Sequence, residues 1–376
     1  MRELLDLTRE LADKEVGPRA EAAERDSVFP REVFRMLGRS GLLGLPYAER
    51  WGGGGQPYEA YLQVVEELAR AWLTVGLGVS VHTLACMPLA VYGSGEQRDR
   101  WLPDMLGGEL LGAYCLSEPQ SGSDAAALAT AAAPGGEGGY RIDGVKAWIS
   151  HAGQADFYTV FARTSGRPEG RDRARGISCL HVPADTGGVS AAPAEHKMGM
   201  RASVTAQMIF DGAQVPAGHL LGEEGQGFSI ALAALDSGRL GIAACATGLA
   251  QAALDLAAGY ARERHQFGRP IIDFEGVSFM LADMACAVEA SRALYLSAAR
   301  RKDAGQEFGP QAAMAKLLAS DTAMRVTIDA VQVLGGYGYV ADFPAERYMR
   351  EAKALQIVEG TNQIQRLVIA RSLAGR

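Results

Sequence analysis

Glu359 lies in "QIVEGTNQIQ", residues 356–365, between the apolar pair Ile357–Val358 and Gly360, just ahead of a short amphipathic helix. A carboxyl group held against apolar surroundings resists ionisation, so its pKa climbs towards neutrality and it becomes a base suited to abstracting a proton. The same residue also reads as an acid placed favourably at a helix N-terminus beside the cap Thr361, and the residues alone leave both readings open. Asp236 and Arg239 in "LDSGRLG" are spaced to share a helix face, where an exposed ion pair is expected. "YCLSEPQSGSD", residues 114–124, ends a strand-like run in a loop rich in hydroxyls and N–H groups. Such a loop can hold a polar ring or a phosphate, or simply turn the chain. "RERHQFGRP", residues 262–270, is a basic helix end that suits the macrodipole.

Other chemistries lack their residues. There is no Gly-x-x-x-x-Gly-Lys-Ser/Thr loop and no Gly-x-Ser-x-Gly elbow. Gly336–Ala341 matches a loose dinucleotide pattern but follows a helix, with no βαβ unit around it. Six histidines and five cysteines show no metal-ligand spacing, and Cys86, Cys115, Cys179, Cys245 and Cys286 are expected to be buried free thiols. With 44 acids against 37 Lys and Arg, and no basic run, nucleic acid is not an expected partner. The chain opens on a helical pattern, Leu4, Leu7 and Leu11, without the flanks of an export signal, so a cytoplasmic location is expected. Ala71 to Gly95 carries no acid, Lys or Arg and is long enough for a bilayer, which needs about 20 residues. Thr74, Ser80, His82, Thr83 and Pro88, with many glycines and alanines, instead predict a helix buried among helices.

These residues need elements to position them. Residues 1–110 read as a helical domain, with Gly17-Pro18 ending the first helix and Pro30 starting the second. Residues 111–222 read as a β domain, where Asp143-Gly144 favours a two-residue hairpin turn and "ADFYTVFART", "GISCLHVPA" and "TAQMIFDGAQVPA" are strands. "DAAALATAAA" has helical composition inside this region, and its context outweighs its propensity. Residues 223–376 return to long helices, about 227–264, 274–304 and 310–334. Helices, strands, then longer helices make an α+β arrangement.

Taken in order, "YCLSEPQSGSD", "KAWIS", "LDSGR", "ERHQFGRP", "VQVLGGYGY" and "IVEGTNQIQRLVIAR" resemble the acyl-CoA dehydrogenase family over essentially the whole chain. The resemblance implies an N-terminal helical domain, a central β-barrel-like domain and a C-terminal four-helix-bundle domain, assembled as a homotetramer that is a dimer of dimers. It implies FAD between the β domain and the C-terminal helices. Tyr114, Leu116 and Ser117 would line the flavin, Gly122 and Ser123 would reach the pyrophosphate, and Trp148, Ile149 and Ser150 would cover the ring's other side. Arg264, Gln266, Phe267, Gln332, Gly335 and Gly336 would meet the adenosine diphosphate of a neighbouring subunit's cofactor, while Thr361 and Gln363 complete the site beside Glu359.

By the same resemblance Glu359 is the catalytic base. It removes a proton from the carbon next to a thioester carbonyl while flavin N5 takes a hydride from the next carbon, leaving a trans-2-enoyl thioester. Ser123, Asp236, Arg239, Gly360 and Arg371 join Glu359 as expected neighbours of the acyl-CoA substrate, and an electron-transferring flavoprotein is the expected acceptor. Val358 stands where many relatives carry tyrosine, and Phe274-Glu275 where a His-Gln pair is frequent. "LDSGR", "GGYGY" and "ISCLHVPADTGGVS" look most like short-chain and short branched-chain members, so a small acyl group is expected. An acyl-CoA oxidase on the same fold and a non-catalytic acyl-CoA-binding scaffold are the alternatives.

Overall fold

The computed structural model describes residues 2–166, 170 and 173–375. The first helical region resolves into α1 (Arg2–Leu11), α2 (Gly17–Asp26), α3 (Arg31–Arg39), α4 (Tyr58–Ala71), α5 (Leu73–Tyr92) and α6 (Gly95–Leu106). The break expected at Gly17-Pro18 does not occur, because α1 passes through a π-helical turn, Ala12–Val16, directly into α2. Pro18 falls in the first turn of α2, immediately after the π-helical turn in which the Gly17 N–H reaches back to the Ala12 carbonyl, and this local break in the α ladder accommodates a residue without an N–H. α5 holds the uncharged stretch, and its polar Ser80, His82 and Thr83 are buried with it. This helix and the later α7 (Gly227–Glu263) are long and apolar enough to cross a membrane, yet 83% and 72% of their apolar windows are buried inside the protein.

The middle region contributes β1 (Gly112–Cys115), β2 (Ala131–Pro134), β3 (Tyr140–Ser150), β4 (Phe157–Arg163), β5 (Ile177–Pro183), β6 (Val189–Ala191), β7 (Thr205–Val215) and β8 (Leu220–Leu221). They form a barrel-like sheet in the order β6-β7-β3-β2-β4-β5-β8, with β1 parallel to β4. Asp143-Gly144 is not a hairpin turn: β3 runs straight through it and bulges against β7. Gly144 has φ 154°, a Cβ there would overlap Thr130, and Asp143 Oδ1 accepts the Gly212 N–H across the strands at 2.8 Å. The alanine-rich segment yields only a three-residue 3-10 turn and then β2, since pairing with β3 satisfies its backbone.

After α7 come the short β9 (His265–Gln266) and β10 (Arg269–Pro270), then α8 (Glu275–Asp303), α9 (Gly309–Leu334), α10 (Gly336–Tyr339), α11 (Ala345–Leu355) and α12 (Asn362–Leu373). α7 is the spine of the molecule, packed by α4, α5, α8 and α9. Close approach requires Gly241 and Gly248, where a Cβ would overlap Ser80 Oγ of α5 and the Glu66 carbonyl of α4. Four cysteines are buried as expected, but Cys286 is exposed, lying off the buried Leu281, Met284, Val288 stripe of α8.

Three imidazoles are locked into the core in neutral form. His82 Nδ1 accepts the Gly112 N–H while Nε2 donates to the Met105 carbonyl, both at 3.0 Å, and His151 Nδ1 donates to the Gly112 carbonyl at 2.9 Å. Burial holds His82 and His151 down to about 4 and His181 to about 3, against 6.5 ordinarily. Between those values the unfolded chain binds protons that the fold refuses, so stability is full above about pH 6.5 and falls as the pH drops towards 4. Denaturant unfolding across this window is expected to lose on the order of 3 kcal/mol per histidine by the acid end; a flat profile would contradict the neutral packing.

Candidate active site

Glu359 occupies the turn between α11 and α12. Ile357 and Val358 N–H groups close α11 onto the Ala354 carbonyl at 2.9 and 3.0 Å, and Thr361 Oγ1 caps α12 by accepting the Ile364 N–H at 3.3 Å. Between them the backbone goes left-handed, with φ 52° at Glu359 and 91° at Gly360. The residue is partly exposed as a whole, but both carboxyl oxygens are buried and have no hydrogen-bond partner among the described residues. Burial pushes this carboxyl up to about 7, against the pull of Lys316 and Arg239. Its own N–H also finds no acceptor among the described residues.

Space for the carboxyl comes from α7. A Cβ at Gly238 would overlap Glu359 Oε2, so this helix position must be bare. Flanking Gly238 on the same helix, Arg239 Nη1 donates to Asp236 Oδ1 at 2.5 Å, and Arg239 is only 6% exposed. The exposed pair expected from spacing is therefore largely buried, because α7 is covered on several sides. Burial raises the Asp236 pKa while Arg239 opposes it. Gly238 also lines a cavity of about 260 Å³, walled by Tyr47, Trp51, Tyr58, Leu84 and Met87, with Ser80, Thr83 and Lys302 among its polar members. Lys302 Nζ donates to Ser237 Oγ at 3.0 Å, and the Tyr58 hydroxyl donates to the Ser237 carbonyl at 3.0 Å.

The expected ring-binding residues lie on β1, on the loop that follows it and on β3. The Tyr114 hydroxyl of β1 donates to the Ala231 carbonyl of α7 at 3.2 Å, and Leu116 is buried. The Ala147 N–H donates to the Ser117 carbonyl at 2.8 Å, which joins the 114–124 loop to β3. Lys146, fully buried, reinforces that joint by donating to Leu116 O at 3.1 Å and to Glu118 Oε1 at 2.8 Å. Glu118 in turn accepts the Ala129 and Thr130 N–H groups. At the β3 bulge Trp148 takes φ 62° and stands 65% exposed, followed by buried Ile149 and half-buried Ser150. Gly122 and Ser123 are exposed on the loop, and the Ser117, Ser123 and Ser150 hydroxyls make no hydrogen bond among the described residues.

A second group lies elsewhere. Arg264 ends α7 with its guanidinium 5.9 Å over the Tyr337 ring, Gln266 is exposed beside it, Phe267 is 94% exposed, and Gln332, Gly335 and Gly336 are exposed where α9 meets α10. From Asp236 to Arg264 is roughly 40 Å along α7 at 1.5 Å per residue, so the groups are separate within one chain. Gln363 is exposed at the start of α12, and Arg371 is exposed in its last turn, at the far end from Glu359.

Sequence reading overlooked Lys316, Lys146, Glu118 and Lys302. Lys316 on α9 is fully buried and donates to the Gly360 carbonyl at 3.0 Å and Asn362 Oδ1 at 2.8 Å; burial holds it down to about 8. The available signals were a lone lysine among the buried alanines 312, 313, 315 and 319, and a lysine at an inward position of an alternating strand.

The chain matches family models described as acyl-CoA dehydrogenase N-terminal domain over residues 1–109, middle domain over 113–213 and C-terminal domain over 225–374. It is 45% identical over 370 residues to an acyl-CoA dehydrogenase of Bacillus subtilis, covering 98% of this chain and 96% of that one. It is 42% identical over 369 residues to the mitochondrial short-chain specific acyl-CoA dehydrogenase of Rattus norvegicus, covering 97% and 88%. Among solved structures, butyryl-CoA dehydrogenase from Megasphaera elsdenii superposes with TM-score 0.96 at 38% identity over 99% of this chain and 97% of that one. A chain in a structure described as an electron transferring flavoprotein of Acidaminococcus fermentans gives TM-score 0.96 at 41% identity, covering 99% and 97%.

Replacing a mid-helix glycine by alanine commonly stabilises by about 0.5–1 kcal/mol. Gly238→Ala is expected to have the opposite sign, losing about 1–3 kcal/mol in denaturant unfolding as the new methyl displaces the Glu359 carboxyl; a stabilised variant would place that carboxyl elsewhere.

Proposed function

The chain belongs to the acyl-CoA dehydrogenase family and is a flavin-dependent oxidoreductase, and on that premise we propose that it oxidises a short straight or branched acyl-CoA to the trans-2-enoyl-CoA, with Glu359 as the base. The observation that carries this reading is a carboxyl group with two buried, unpartnered oxygens set against the wall of a small cavity.

The residues present fit FAD. The unengaged hydroxyls of Ser117, Ser123 and Ser150 offer donors to a polar ring edge and to phosphate, the open Gly122 leaves room for close approach, and the exposed Trp148 ring offers a flat apolar face. Leu116, Ile149, Thr361 and Gln363 complete this proposed surface around Tyr114. When bound, FAD supplies the two-electron acceptor for the hydride lost from the β carbon. The second group, with Arg264, Gln266, Phe267, Gln332, Gly335 and Gly336, lies too far along α7 to share one cofactor within a chain. We assign it to the cofactor of a second copy, in keeping with a dimer-based homotetramer.

The protein's own part is positional and acid–base. Glu359 takes the proton from the carbon next to the thioester carbonyl, and its carboxylate loses no hydrogen bond in doing so, because it has none to lose. In this reading the Glu359 N–H, which has no acceptor among the described residues, donates to the carbonyl oxygen as enolate charge develops there. Asp236, Arg239, Ser123, Gly360 and Arg371 are the proposed contacts of the acyl-CoA. At about 260 Å³ the cavity falls below the 300–1,000 Å³ or so typical of drug-sized ligand sites, which favours a short acyl tail. The likeness to a chain in an electron transferring flavoprotein structure supports such a flavoprotein as the acceptor, and we place the reaction in the cytoplasm.

A base with a pKa of about 7 must be deprotonated to act, so anaerobic bleaching of the flavin by butyryl-CoA is expected to accelerate as pH rises through about 7. Glu359→Gln is expected to keep FAD and bind acyl-CoA, yet bleach about 100- to 10,000-fold more slowly. Bleaching at the unsubstituted rate in that variant would move the base elsewhere. Across a panel of straight and branched acyl-CoAs, tails longer than the cavity should bleach the flavin least.

A further inference from the structure

We propose that Lys316 is a positioning residue for the reaction, gripping the Glu359–Gly360 turn from beneath and supplying the positive charge against which the Glu359 carboxylate forms. The inference rests on Glu359 being the base. Its foundation is geometric. Lys316 Nζ holds the Gly360 carbonyl at 3.0 Å and Asn362 Oδ1 at 2.8 Å, on the two sides of Thr361. Asn362 is itself fixed, its Nδ2 donating to Ser320 Oγ at 2.9 Å and Asp321 Oδ1 at 2.7 Å. Gln365 Nε2 donates to the Gly360 carbonyl at 2.8 Å and the Glu359 carbonyl at 3.3 Å. A residue with a side chain rarely adopts the left-handed conformation of Glu359, and this network holds it there.

The charge argument narrows the role to Lys316. The groups that face Glu359 electrostatically are Lys316 on α9, Arg239 and Cys245 on α7, Tyr58 and Tyr61 on α4, and Tyr114 on β1. Only two of these are cations. Arg239 already pairs with Asp236, whereas both hydrogen-bond acceptors of Lys316 are neutral oxygens. Asp321, the other acid whose charge reaches Lys316, is engaged by Gln356, Asn362 and Arg366. A fully buried ammonium without a carboxylate partner is unfavourable, so the negative charge that best offsets Lys316 is the one created when Glu359 gives up its proton. The lysine thus favours the free base against the desolvation that favours the acid.

The test is the pH dependence of anaerobic flavin bleaching by butyryl-CoA in the FAD-loaded enzyme, comparing the unsubstituted protein with Lys316→Met, Lys316→Gln, Lys316→Arg and Glu359→Gln. Removing the charge is expected to move the midpoint of the acid limb upward by about one pH unit or more in both Met and Gln variants. The rate should recover once the pH exceeds the new midpoint, and Lys316→Arg should return the midpoint towards its original value. Lys316→Gln retains a donor for the Gly360 carbonyl and decides the matter if Lys316→Met does not fold. A midpoint unmoved in Lys316→Gln, with Glu359→Gln still slow, overturns the role of Lys316 and leaves the base in place. Loss of FAD at every pH in all three lysine variants makes Lys316 a purely structural residue and likewise overturns it. Rapid bleaching in Glu359→Gln overturns the reading of the base itself.

Discussion

A carboxyl group removed from water without a hydrogen-bond partner is the constraint around which the rest of this structure is arranged. Desolvation of Glu359 raises its proton affinity, and two cations restrain that rise, leaving it near neutrality. Each neighbouring choice protects this balance. A bare Gly238 on α7 leaves the carboxyl room, and the left-handed Glu359–Gly360 turn directs it inward. Lys316, Asn362 and Gln365 bond the backbone of that turn and leave the carboxyl oxygens free. A surface network of the same residues would solvate the acid and return it to the ordinary carboxylate range.

The opposite device fixes the 114–124 loop. There the buried charges Lys146 and Glu118 are committed to each other and to the backbone of Leu116 and of Ala129–Thr130. A buried ion pair is no guarantee of net stability, but breaking one is strongly destabilising, because it strands a charge. The pair is therefore best understood as a registry device. It sets the 114–124 loop against β3, the strand that carries the exposed, left-handed Trp148. Unsatisfied polarity at Glu359 and saturated polarity at Glu118 divide reactivity from rigidity.

α7 connects these parts. Its small residues let α4 and α5 approach closely, and it carries Asp236 in the N-terminal half of its 37 residues and runs to Arg264, the residue that caps its C-terminus. That length accounts for why the Asp236 and Arg264 groups are separated within a single chain.

Much of this was legible in the linear chain. The order of helical and strand periodicity gave the α+β layout, because one apolar face per element imposes a period of 3.6 or 2 wherever it occurs. The six motifs, taken in order, pointed to the family and to Glu359. Local dipeptide signals fared worse: Gly17-Pro18 did not end a helix and Asp143-Gly144 did not turn a hairpin, since long-range pairing and packing outweighed them. Cys286 and the Asp236–Arg239 pair were misjudged for burial, which depends on what covers a helix face and not on the face itself. Residue types and their order were thus settled by the sequence alone. Whether the Glu359 carboxyl is solvated or withdrawn from water, and which lysine stands beneath its turn, was decided only by tertiary structure, because the strength of a charge depends on neighbours more than forty positions away along the chain.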